Sequence, residues 1–282
     1  ANAMIVQTFG LAPGYGWITG IIFAILLAGV IIGGMPSIGS VTSKLVPFMA
    51  TLYVGMAVIV LVSHYDQIGA AFEQIFIGAF TGAGVAGGFI GALIQGLKRA
   101  TFSNEAGVGS AAIAHSAVKT KEPITEGFVS LLEPFIDTVV ICTMTALVII
   151  ISGMNTGALS GVTLTAAAFT ETSFIFEYFL ALAVVMFAFS TMVSWSYYGL
   201  KAWTYLFGEG ATTELVYKGI FCLFVIVGTS ISFGAVIDFS DAAMFSMSIF
   251  NIIGLYYLMP IVKKELNSFV ARVNSGEIKR YK

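Results

Sequence analysis

The chain has 282 residues, 58% hydrophobic and only 10% charged, with a formal net charge of −2. A soluble domain carries roughly 25% charged residues, so the composition argues for a chain solvated by lipid rather than water. Near-zero net charge argues against a nucleic-acid partner, and two cysteines inside apolar runs, Cys142 and Cys222, argue against a disulfide framework or a metal site.

In chain order, the opening "ANAMIVQTF" reads like the end of a helix that began earlier, so the chain is expected to be the C-terminal part of a longer protein. No signal-peptide pattern is read there. Seven stretches then reach the length of about 20 mostly apolar residues that a membrane span needs. They lie near 16–34, 45–63, 74–97, 127–152, 176–200, 215–236 and 242–262. Alternating the sides places all thirteen Lys and Arg residues in one set of loops and the C-terminal tail. By the positive-inside rule those loops are expected to be cytoplasmic.

Polar and glycine-rich stretches inside such spans are costly and need a partner, a cavity or a function. The third span reads "IFIGAFTGAGVAGGFIGALIQGL". Its glycines fit either close helix packing through small residues or a broken helix whose free backbone groups bind a substrate. The polar stretch that follows, "KRATFSNEAGVGSAAIAHSAVKTK", is expected to be a cytoplasmic loop or a short surface helix. The fourth span carries Glu133 and Asp137 at i,i+4, where neighbouring carboxylates could share a proton. The fifth carries Ser190, Thr191 and Ser194 near mid-span, with Trp195 on the face of Thr191. Those hydroxyls either bond back to their own helix or turn their oxygens toward a small hard cation such as Na⁺.

"FSNEAGVGSAAIAHSA", "FIDTVVICTMTALVI", "FAFSTMVSWSYYG" and "YLFG" together, in this order and spacing, resemble the alanine or glycine:cation symporters. The resemblance covers nearly the whole chain. It implies an all-α polytopic membrane protein with the inverted-repeat fold of the amino acid–sodium symporters, incomplete here, with core helices 4–10 present. On that reading 1–70 completes the first repeat, 71–265 is the second, and 266–282 is a cytoplasmic tail. The third span is then similar to discontinuous helix 6, with "GGFIGAL" at its break. The span with Ser190 and Thr191 is similar to helix 8, whose hydroxyls hold the coupling ion in this fold. The family usually has proline before the asparagine of the last span, where this chain has Phe250 before Asn251.

The resemblance implies sodium-coupled symport of alanine or glycine at the plasma membrane, without a cofactor other than Na⁺ as coupling ion. Gly84, Gly87, Gly88, Phe89, Thr191 and Trp195 would line the amino-acid pocket. Ser190, Thr191 and Ser194 would hold sodium, and Asn104 and Glu105 would form a movable inner seal. The rival classes are an intramembrane enzyme using Glu133 and Asp137, and a membrane subunit that does not transport. No nucleophile elbow or HExxH supports the enzyme.

Overall fold

The computed structural model describes residues 1–10, 13–81, 88–155, 157, 159–231 and 233–278. Among them every regular element is helical: α1 (Asn2–Phe9), α2 (Gly16–Ile31), α3 (Gly34–Ser63), α4 (Ile68–Thr81), α5 (Gly88–Asn104), α6 (Ser110–His115) and α7 (Pro123–Ser130). There follow α8 (Leu132–Pro134), a wider π-helical run (Phe135–Cys142), α9 (Thr143–Ile151), α10 (Gly161–Thr172), α11 (Ile175–Phe207), α12 (Ala211–Gly228) and α13 (Phe233–Asn274). An all-helical answer is what a bilayer demands of a single chain without a closed barrel, since helices satisfy their backbone groups internally.

Among the described residues, five helical stretches are long and apolar enough to cross a membrane: α3, the run from Pro123 to Ile151, α11, α12 and α13. The sixteen-residue α2 is a shorter apolar helix. The third of the seven expected spans is not one helix. α4 is described to Thr81, residues 82–87 lie outside the described residues, and α5 starts at Gly88 with φ +63°. That left-handed value cannot occur within a right-handed helix, and glycine adopts it without a Cβ penalty.

Other boundaries also move. Lys44 lies inside α3, Lys98 and Arg99 inside α5, Lys201 inside α11 and Lys218 inside α12, so these five basic residues are helical rather than in loops. α3 passes through Pro47, and α13 passes through Pro260 to reach Asn274, so much of 266–282 is helix.

The chain forms two compact units, Ala1–Ala92 with Ile141–Val236, and Leu93–Val140 with Ile237–Lys282. In the first unit, α2 packs on α12 and α3 on α11. A Cβ on Gly20 would come within 2.9 Å of Ile226 Cα, so the α2–α12 approach depends on a missing side chain. Tyr53, Val60, Val148, Phe169 and Leu180 form the centre of the apolar cluster. There the Tyr53 hydroxyl shares a 2.6 Å hydrogen bond with Thr145 Oγ1, which satisfies its polar tip.

Candidate substrate and cation site

In the first unit the expected site centres on α11. Ser190 Oγ and Thr191 Oγ1 both donate to the Phe187 carbonyl, each at 2.9 Å. Back-bonding to the i−3 or i−4 carbonyl is the usual fate of a helical hydroxyl. It spends only the proton: a hydroxyl has one donor and two acceptor lone pairs, and the lone pairs remain. Ser190 is buried, with Met49 Sδ 3.6 Å from its hydroxyl, whereas Thr191 is exposed and Ser194 half-buried. The oxygen of Thr191 is therefore the accessible one. Trp195 packs edge-on against Tyr198 at 5.7 Å, and Phe89 stacks on Phe80 at 5.3 Å. Gly88 supplies the left-handed start of α5, while Gly84 and Gly87 lie outside the described residues.

A cavity of about 920 Å³ lies in the same unit, lined by Asn2, Gln7, Phe23, Thr163, Met192 and Thr229 among others. Asn2 Oδ1, at its wall, is buried without a hydrogen-bond partner.

In the second unit the polar stretch after α5 is tightly tied. Asn104 Nδ2 donates to Thr138 Oγ1 at 2.8 Å, while its Oδ1 accepts the Ala106 N–H at 2.9 Å. Glu105 sits at φ +56°, uncommon for a residue with a Cβ, and accepts the Ser110 hydroxyl at 2.5 Å. Asn251 Nδ2 donates to the Gly107 carbonyl at 2.9 Å, anchoring the stretch to α13. Gly109 has φ +105°, and a Cβ there would meet the Asn251 side chain at 3.3 Å. The asparagine that follows Phe250 thus has a partner of its own.

Glu133 and Asp137 do not act as a pair. Glu133 Oε2 faces His115 Nε2 at 3.2 Å, and Asp137 Oδ2 accepts from Ser103 at 2.6 Å and from Thr138 at 3.3 Å. An i,i+4 pairing presumes an α-helix. From Phe135 the chain winds wider, as i→i+5 bonding dictates, and other elements offer each carboxylate a separate partner.

Three charge clusters in the second unit are not foreseen by the sequence. Asp241, 5% exposed, receives Arg99 Nη2 at 2.6 and 2.5 Å and Lys98 Nζ at 2.7 Å. The expected last span starts at 242 and leaves Asp241 outside it; in the structure Asp241 lies inside α13, a helix apolar enough to cross a membrane, where an aspartate requires a cationic partner. Arg272 holds both oxygens of Glu122, at 2.8 and 2.5 Å, and this hydrogen-bonded guanidinium keeps the Glu122 carboxyl below its usual range. His115 Nδ1 lies 2.6 Å from Glu126 Oε1.

The profile of the sodium:alanine symporter family matches residues 1–282. The sodium/alanine symporter AgcS of Methanococcus maripaludis is 38% identical over 270 residues, covering 94% of this chain and 58% of that protein. The probable sodium/glutamine symporter GlnT of Bacillus subtilis is 31% identical over 263 residues, covering 92% and 54%. The amino-acid carrier protein AlsT of Bacillus subtilis is 30% identical over 261 residues, covering 92% and 56%. The chain spans less than two thirds of the length of each of these relatives.

Proposed function

The chain belongs to the sodium:alanine symporter family, and on that premise we propose sodium-coupled symport of alanine or glycine across the plasma membrane by alternating access. The family match over the whole chain carries this reading; its members are transporters, which speaks against the enzyme alternative. Within the chain, the reading is supported by the exposed oxygen of Thr191, which keeps its lone pairs after back-bonding. Ser190, Thr191 and Ser194 are the proposed sodium ligands. Gly84, Gly87, Gly88, Phe89, Thr191 and Trp195 are the proposed amino-acid pocket, with the aromatic rings limiting side-chain size. A discontinuity at Gly88 would offer free backbone N–H groups to the carboxylate and free carbonyls to the ammonium.

Asn104 and Glu105 are proposed as part of an inner seal, since both lie in the tied stretch that joins α5 to α6. The loops with basic residues and the C-terminus are proposed to be cytoplasmic. Single cysteines at Ser160 and Ser275, in a background lacking Cys142 and Cys222, should label from opposite faces of intact cells. Labelling from one face would overturn the topology.

The deciding experiment is uptake of labelled alanine and glycine into proteoliposomes by the protein expressed from its complete gene. Uptake should require an inward sodium gradient and be competed by either amino acid. Uptake indifferent to sodium, or absent, would overturn the reading.

A further inference from the structure

The His115 cluster is used by neither the proposed pocket nor the proposed sodium site. His115 is the last residue of α6, and its two ring nitrogens face acids on two other elements: Nδ1 is 2.6 Å from Glu126 of α7, and Nε2 is 3.2 Å from Glu133 of α8. Among the described residues these are the charged groups that face the ring; the neighbouring Glu122 is held by Arg272. An ionised carboxylate only accepts hydrogen bonds, and a neutral imidazole has one donor and one acceptor nitrogen. Both contacts are hydrogen bonds together only when the ring carries both protons. A neutral ring would turn a nitrogen lone pair onto one carboxylate.

The two contacts are unequal. The Glu126 side chain is 18% exposed and makes the shorter bond, whereas Glu133 is 55% exposed and makes the longer one. The proton that leaves first is therefore the one on Nε2, and the hydrogen bond to Glu133 breaks with its departure.

We propose that His115 is a proton-operated latch, which as an imidazolium ties α6 to α7 and α8, and on losing its Nε2 proton releases α6 from α8. Burial pulls the ring's affinity for a proton down, but hydrogen bonding and the charges of Glu126 and Glu133 outweigh it and raise the pKa above the usual histidine value. The sign follows. The latch is complete below the ordinary histidine range and opens as pH rises through the raised value. The latch is a property of the chain and stands independently of the transport reading.

The test is amide hydrogen exchange over residues 110–118, from about pH 6 to pH 9, with the intrinsic base-catalysed rate divided out. The wild-type protein should show a single step of about tenfold faster exchange above the latch pKa. His115→Gln should lack the step. Glu133→Gln should move it to lower pH, because one charge that favours the imidazolium is gone. In a His64→Gln background, ring ¹⁵N shifts should show both His115 nitrogens protonated below the step and the Nδ1–H tautomer above it. Flat corrected exchange in the wild type, a step that persists in His115→Gln, or a His115 ring that is neutral on both sides of the step would each overturn the latch. If His115→Gln does not fold, the ring titration and Glu133→Gln still decide.

Discussion

The two compact units hold themselves together by different physics. The first buries an apolar cluster around Tyr53, Phe169 and Leu180, and the Ser190, Thr191 and Ser196 hydroxyls of its longest helix donate to carbonyls of that same helix. In the second, the described buried residues are only Val108, Ser110, Asp241 and Met244, and ion pairs and amides tie its elements together beside a Phe128–Phe269 ring contact. Association between helices in lipid lacks the hydrophobic drive available in water, so packing and polar bonds must supply it. One unit relies mainly on packing and the other mainly on polar bonds. The first should therefore tolerate loss of a hydroxyl but not of volume, and the second should respond to single charges and to pH.

The largest expected effect tests the second unit. Asp241→Asn leaves Lys98 and Arg99 without their acid and should cost about 3 kcal/mol. That is the low end for breaking a buried pair, because both cations retain some access to water. Thermal melting in detergent would register it, and replacing Lys98, Arg99 and Asp241 together with apolar residues should restore most of the loss. Unchanged melting of Asp241→Asn would remove the distinction between the units.

Thr191→Val tests the first unit from the side of function. Its oxygen faces outward and its proton bonds the same helix, so melting should hardly change. In the protein from the complete gene, the sodium concentration for half-maximal uptake should rise, by an amount equivalent to about 1–3 kcal/mol. Alanine affinity should fall with it through linkage. Unchanged half-saturation for both ligands would remove Thr191 from the site, and weaker alanine binding at saturating sodium would move it into the pocket.

Gly109→Ala places a Cβ at φ +105°, against Asn251. About 1–3 kcal/mol of backbone strain should result, visible in melting and in faster proteolysis near Gly107. A neutral result would show the tie between α13 and this stretch to be adaptable.

The smallest effect concerns Glu122. Its pKa is depressed by Arg272, so its contribution is complete above the ordinary carboxylate pKa and is lost as pH falls through the lowered value. The melting difference between wild type and Arg272→Gln should therefore narrow in acid. A difference that stays constant from neutral pH into the acid range would assign Arg272 a packing role instead.

Much of the fold is readable from the chain itself. A chain this poor in charge and rich in apolar runs has only helices available in lipid, and ordered motifs such as "FSNEAGVGS" and "FSTMVSWSYYG" point to the family. The break near Gly88 is also legible, because adjacent glycines lower helix propensity wherever they stand. Side-chain partnership is not. Asp241 stands more than a hundred residues from Lys98 and Arg99, and periodicity within one helix says nothing of what another helix presents to it. Glu133 and Asp137 show the same limit: their shared helical face was a sound local inference, but His115, Ser103 and Thr138 decided which atom each carboxylate meets. Local free energies along the chain determined that there are helices and where they pause. The pairing of charges was decided by tertiary structure, because in low dielectric each buried charge takes whichever partner the fold brings within hydrogen-bond reach.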